Sequence, residues 1–166
     1  MVNLGPKAGR SGPHPGYRPC VGLMLVNAQG LLFIGERRGP LRNAWQMPQG
    51  GIDRGEDPRA AARRELLEEV GTDRAELVAE SRCWYAYDLP PELRPARWDS
   101  RYLGQTQKWF GFRFTGVDED IDIAAHEPEF LRWRWAPPDE VVGLAVDFKR
   151  PIYQAVIEEF DHLLHR

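Results

Sequence analysis

Apolar positions recur along this chain with two different periods, and each period marks a different kind of element. The run CVGLMLV (20–26) is almost continuously apolar, which suits a strand covered on both faces. A second run, LLFIGER (31–37), follows a turn at Asn27 to Gly30, so the two read as paired strands. AWQMPQGGI (44–52) is a short extended piece broken by Pro48 and two glycines. The period then becomes helical, with Ala62, Leu66 and Val70 at i, i+4 and i+8. Asp57 can cap that helix, Pro58 suits its first position, and Gly71 stands where a left-handed C-terminal residue is wanted. AELVAESRCWYAYDL (75–89) reads as one strand and TQKWFGFRFTGV (106–117) as another. Between them lies PPELRPARWDSRYLGQ (90–105), a long loop of the kind that is often functional in a compact domain. FLRWRWAPP (130–138) is a short strand ended by two prolines. FKRPIYQAVIEEFDHLLHR (148–166) is an amphipathic helix with Ile152, Val156, Phe160 and Leu163 on one stripe.

The pattern contains no internal repeat and no second core, and 166 residues suit one domain. The expected class is therefore α/β, with a mixed sheet between helices, over residues 17–166. Residues 1–16 are rich in Gly and Pro and read as a flexible arm. A net charge of −3 argues against a large basic surface, so a DNA duplex is not an expected partner, and any nucleic acid should be gripped over a small part of its length. No apolar run approaches the roughly 18 residues needed to span a bilayer, and the N-terminus lacks the apolar stretch of a secretory signal. These features predict a cytoplasmic protein with no membrane partner. Cys20 and Cys83 have no zinc-site spacing and are expected as buried free thiols, a disulfide being the alternative.

The chemistry concentrates in GGIDRGEDPRAAARRELLEEVGT (50–72). On a helix, Glu65, Glu68 and Glu69 share one side, where like charges repel by a few tenths of a kcal/mol per pair. Arg63 and Arg64 are few counter-charges for such a cluster, and a divalent cation is the natural partner. Hard oxygen ligands suit magnesium or manganese, and such ions commonly work on phosphates. Gly50, Gly51 and Gly55 allow the backbone to approach an ion or a phosphate closely. The apolar stripe lies about 100° round from Glu65 and Glu69, so the acids are expected in the open beside a buried face.

The same stretch resembles the Nudix box, G-x5-E-x7-R-E-U-x-E-E-x-G-U with U aliphatic. Gly50, Glu56, Arg64, Glu65, Leu66, Glu68, Glu69 and Gly71 match, and Thr72 departs at the last aliphatic position. From about Tyr17 to Phe160 the segments YRPCVGLMLVN, WQMPQGG, YLGQTQKWF, PEFLRWRW and FKRPIY resemble the bacterial RNA 5′-pyrophosphohydrolases, also described as (di)nucleoside polyphosphate hydrolases. The resemblance implies an α/β/α sandwich with a mixed sheet. It also implies two or three Mg²⁺ or Mn²⁺ ions held by Glu65, Glu68, Glu69, Glu129 and the carbonyl of Gly50, with Arg64 orienting a ligand and Glu56 bracing the loop. Glu65 and Glu129 are both open as the base. Arg18 and Lys149 would face the 5′ phosphates, and Tyr87 would lie near them. Val146, Phe148 and Lys149 match the subgroup's V-x-F-K element, in which the aromatic meets a base, although Phe148 could equally anchor the last helix. Arg37, Arg38 and Lys108 are further candidates for a basic rim, and Gln105 and Gln107 for the pocket wall. Trp45, Trp109, Trp133 and Trp135 are explained by packing, and the four histidines have no ligand spacing. The implied reaction is hydrolysis of the 5′ triphosphate or diphosphate of RNA to a monophosphate, promoting mRNA decay. Cleavage of diadenosine tetraphosphate is the rival, and a nucleotide sensor without turnover a third reading. No stimulating protein partner is legible.

Overall fold

The computed structural model describes residues 9–165. Its sheet is built on β1 (Arg18–Val26), β2 (Leu32–Arg37), β3 (Trp45–Gln46), β4 (Gln49–Gly51), β5 (Ala75–Glu80), β6 (Tyr85–Asp88), β7 (Gly104–Phe114) and β8 (Phe130–Ala136). The central order is β3-β2-β1-β7-β5, with β4 on β1, β6 on β7 and β8 on β2. β1 and β7 run parallel from Arg18 beside Gln105 to Val26 beside Arg113, and the remaining pairs are antiparallel. This is the expected mixed sheet.

β1 is apolar throughout because both its faces are covered. Val21, Leu23 and Leu25 pack with Phe110, Phe112, Ala61, Ala62, Leu66 and Val70, the last four from the helical segment that starts at α1 (Pro58–Glu65). Met24 and Val26 pack on the opposite side with Trp109, Ile152, Tyr153, Val156, Phe160 and Leu163. That second layer comprises α2 (Pro138–Leu144) and α3 (Arg150–Glu159) with the turn that follows. The result is an α/β/α sandwich. Asn27 closes the first hairpin by accepting the N–H of Gln29 at 3.0 Å and of Leu31 at 2.9 Å.

Four local expectations are corrected. The strand expected over 75–89 is two strands, because at Ser81 the side chain takes one half of the ladder pairing while the Ser81 N–H still donates to the Trp109 carbonyl at 2.8 Å. The Ser81 hydroxyl donates to the Cys83 carbonyl at 2.8 Å and accepts the Trp109 N–H at 3.0 Å. β5 and β6 nevertheless run along successive parts of β7. The two prolines that end β8 also open a helix, α2, with Pro138 at its start. Residues 9–16 are tied to the domain rather than loose. Arg10 bridges Trp84, His14 is buried with Nδ1 2.9 Å from the Thr106 hydroxyl, and the Gly16 carbonyl accepts the Leu103 N–H at 2.9 Å. The remainder of the expected arm, residues 1–8, lies outside the described residues. Of the two free cysteines, Cys20 is buried and Cys83 is half-buried.

Candidate active site

α1 begins as its sequence dictates. The Asp57 side chain accepts the N–H groups of Arg59 and Ala60 at 3.1 and 3.3 Å, and Pro58 occupies the first turn. The helix then widens into a π turn over Leu66–Val70 and stops at Gly71, whose φ of 76° is left-handed. Wide turns of this kind occur often at functional sites. Here the turn separates the three acids. Glu65 and Glu69 are buried, with 8% and 7% of their surface exposed, whereas Glu68 is half-buried. The expectation that all three stand in the open therefore fails for Glu65 and Glu69 and holds only in part for Glu68, which also accepts from Arg64.

Arg64 lies across this end of the helix and uses every N–H it has. Nε and Nη2 each reach Glu56 at 2.9 Å, Nη2 also reaches the Gly51 carbonyl at 2.8 Å, and Nη1 reaches Glu65 at 2.8 Å and Glu68 at 3.1 Å. Arg64 hydrogen bonds and the Asp53 N–H hold the Glu56 carboxyl down at about 2, as befits a permanently ionised brace. Thr72, the departure from the box, is buried and its hydroxyl accepts the Arg74 N–H at 3.0 Å, so the position is satisfied by a hydrogen bond instead of an aliphatic contact.

Burial first, then neighbouring carboxylates, pushes Glu65 up to about 7 despite Arg64. Glu69 is raised well above the usual carboxylate range by burial and by Glu65, with the Gln49 N–H at 3.1 Å opposing. A Cβ on Gly50 would collide with the Glu65 carboxylate, so a glycine is required for that side chain to lie against the backbone. Similarly, the Arg18 guanidinium lies over Gly51. Among the described residues no three His, Cys, Asp or Glu side chains already converge on one cation position, because Glu65 and Glu68 turn to Arg64.

These groups open into a cavity of about 660 Å³. Gly50, Glu65, Glu68, Glu69, Glu129, Arg18, Arg38, Tyr87, Gln105, Val146, Phe148 and Lys149 all line it, as does Arg37. Arg64 stands behind the carboxylates. Lys108 is not brought to the cavity and instead pairs with Glu80 at 3.7 Å, and Gln107 is buried beneath the wall. Lys149 is buried at the back with its ammonium 2.8 Å from the Gln46 amide oxygen. Burial, then Arg37, lowers it to about 7. Tyr87 and Phe148 are stacked, with ring centroids 5.5 Å apart and planes at 26°. Trp45 carries Arg132 and Arg134 on its ring at 5.2 and 5.4 Å.

The remaining lining residues carry no motif of their own in the sequence. Leu93, Pro95, Arg97 and Trp98 belong to the long loop already marked as functional, and His126 and Glu127 precede Glu129. The loop is held by its own arginines, since Arg94 donates to the Leu89 carbonyl at 2.9 Å and Arg101 to the Trp98 carbonyl at 3.2 Å.

The NUDIX domain family matches residues 16–156. The chain belongs to the NUDIX family. Among relatives, an RNA pyrophosphohydrolase of Rickettsia canadensis is 52% identical over 148 residues, covering 89% of this chain and 92% of that protein. One from Roseobacter denitrificans is 56% identical over 147 residues, covering 87% and 92%. Solved NUDIX-type folds include an E. coli dihydroneopterin triphosphate pyrophosphohydrolase, with TM-score 0.67 and 20% identity over 86% of this chain and 95% of that one. A C. elegans Ap4A hydrolase has TM-score 0.62 and 17% identity over 86% and 98%. These two establish the fold. With the NUDIX match and the pyrophosphohydrolase relatives, the chain is a hydrolase acting on phosphoanhydride bonds. No helix among the described residues is long and apolar enough to cross a membrane.

Proposed function

We propose that this NUDIX hydrolase attacks the 5′ triphosphate or diphosphate end of RNA in the cytoplasm, leaving a 5′ monophosphate and so committing transcripts to decay. The observation that carries the reading is one cavity lined at once by a carboxylate cluster, a buried lysine and a stacked aromatic pair. Relatives more than half identical that bear the name RNA pyrophosphohydrolase support the same substrate.

The carboxylate set fits hard divalent cations. Two carboxyls are held above their usual range by burial and by one another's charge, a repulsion that a cation would relieve, and Gly50 lets one of them lie against the backbone. Glu65, Glu68, Glu69, Glu129 and the Gly50 carbonyl would hold two or three Mg²⁺ or Mn²⁺ ions. When bound, the ions neutralise charge developing on the phosphoryl oxygens and lower the pKa of a water. The protein does the rest by positioning, which dominates phosphoryl transfer. Arg64 fixes Glu65 and Glu68. Arg18, Arg38 and Lys149 receive phosphate oxygens, and Lys149 gains the most because its ammonium has a neutral partner and little solvent. Tyr87, Phe148 and Val146 offer a flat surface on which a terminal base stacks, a contact of about 1–3 kcal/mol. Glu65 or Glu129 takes the proton of the attacking water.

The test is release of phosphate or pyrophosphate from a short 5′-triphosphorylated RNA with Mg²⁺ present and absent, beside diadenosine tetraphosphate at equal concentration. Turnover of the RNA only with the metal is expected. An inert RNA with a cleaved dinucleotide would overturn the choice of substrate. A Glu68→Gln variant losing most turnover distinguishes an enzyme from a sensor.

A further inference from the structure

Behind the cavity wall, three glutamines and a tryptophan form a chain of hydrogen bonds whose direction is fixed at its buried end. Trp109 is fully buried, and its indole N–H donates at 3.0 Å to the Gln107 amide oxygen. An indole nitrogen can only donate, so Gln107 must turn its oxygen toward Trp109. Its NH₂ group then faces the other way, donating to the Gln49 oxygen at 3.2 Å and the Gln105 oxygen at 3.0 Å. Gln107 is 1% exposed, so water offers it no alternative partner. The Gln105 oxygen also receives the Gln49 NH₂ at 3.4 Å. Both oxygens are thereby committed. The Gln105 NH₂ has no hydrogen-bond partner among the described residues, and Gln105 lines the cavity. In register it stands between Arg18 on β1 and Tyr87 on β6. The arrangement needs a bare Gly22, since a Cβ there would strike the Trp109 ring.

We propose that Trp109 and Gln107 are positioning residues that lock Gln105 as a donor toward the cavity, where its NH₂ meets an oxygen of the polyphosphate. This rests on the proposed polyphosphate substrate. An amide free to rotate would present its oxygen half the time and repel the same anion. A donor fixed in advance incurs no reorientation cost on binding.

Gln107→Glu tests the direction. An ionised carboxylate still accepts from Trp109 but cannot donate, so the Gln105 oxygen loses its 3.0 Å partner and keeps only the Gln49 NH₂ at 3.4 Å, while the new acceptor draws the Gln105 NH₂ inward and turns its oxygen toward the substrate. KM for a 5′-triphosphorylated RNA should rise roughly tenfold or more, with kcat changed less, as expected for a lost hydrogen bond to a charged group. The added negative charge is controlled by Gln105→Met. In that background, Gln107→Glu should have little further effect, because no amide remains to turn; an undiminished effect would overturn the proposal. Trp109→Phe, with folding checked by thermal unfolding, should raise KM several-fold by freeing Gln107. Side-chain amide NMR without substrate gives a separate reading. The Gln105 NH₂ should exchange rapidly with water in the native protein and become protected in Gln107→Glu. A protected Gln105 NH₂ in the native protein would sink the proposal even if RNA were cleaved. If RNA were inert while this exchange pattern held, the substrate assignment alone would fail.

Discussion

At the level of single residues, Gly50 and Gly51 look interchangeable in the sequence but stand against different side chains. A methyl group on Gly50 meets the Glu65 carboxylate, which Arg64 and burial hold in place. A methyl group on Gly51 meets the guanidinium of Arg18, the free end of a long side chain that can move away. Gly50→Ala should therefore lower kcat by roughly a hundredfold, the usual cost of misplacing a catalytic group by about 1 Å. Gly51→Ala should mainly raise KM for RNA, and steady-state kinetics of the pair reads the difference. Arg64 permits an equally sharp comparison. Lysine retains the charge but has three donors on one nitrogen, and cannot span Glu56, Gly51, Glu65 and Glu68 together. Arg64→Lys should cost about 1–3 kcal/mol in thermal unfolding and reduce kcat as strongly as Arg64→Ala does. Substantial rescue by lysine would show that charge, not the fork geometry, is what the site needs.

Among the elements, α1 separates what stabilises the site from what performs chemistry. Asp57 caps its first turn, one full helix away from Glu65 and Glu69. Asp57→Ala should lower stability by about 1 kcal/mol, measured by denaturant unfolding, while kcat well below the melting temperature stays unchanged. This helix was the most legible part of the sequence because its cap, its stripe and its acids all depend on local spacing. The burial of Glu69 was not legible, since it depends on the π turn and on a backbone N–H supplied by Gln49 from β4. The interruption between β5 and β6 escaped for a related reason. The polar residues Glu80, Ser81 and Arg82 fit an exposed stretch of one strand as well as a break, and the Ser81 hydroxyl competes with the ladder only once Trp109 lies beside it. The wall formed by Leu93, Pro95, Arg97 and Trp98 belongs to a loop with no periodicity, placed by side chain-to-carbonyl bonds that spacing cannot reveal. Pro137 and Pro138 signal the end of a strand, and a proline in the first turn is equally a helix signal.

For the molecule as a whole, the buried charges of the site make stability a function of pH and metal together. Glu65 binds its proton with a value near 7 in the folded state against about 4.5 unfolded, and Glu69 shifts the same way. A carboxyl raised by folding favours the folded state fully below the unfolded value and loses that contribution as pH rises through the folded one. In a chelator, stability should therefore fall as pH rises from about 4.5 to about 7. Lys149 acts above that window with the opposite sign. Its folded value is about 7 against 10.5 unfolded, so its burial penalty is relieved as pH rises further. Glu56, held at about 2, contributes nothing to either limb because its window closes near pH 4.5. In the metal-free protein Glu65 therefore lowers stability up to about pH 7 and Lys149 raises it above that, and Lys149→Met should remove the rising contribution. Mg²⁺ must displace the carboxyl protons to bind, so its stabilising effect should be small at pH 5 and large at pH 7.5. Melting temperatures with chelator and with Mg²⁺ across this range test both statements. Equal gains from Mg²⁺ at the two pH values would mean that the buried carboxylates are not where the cation binds.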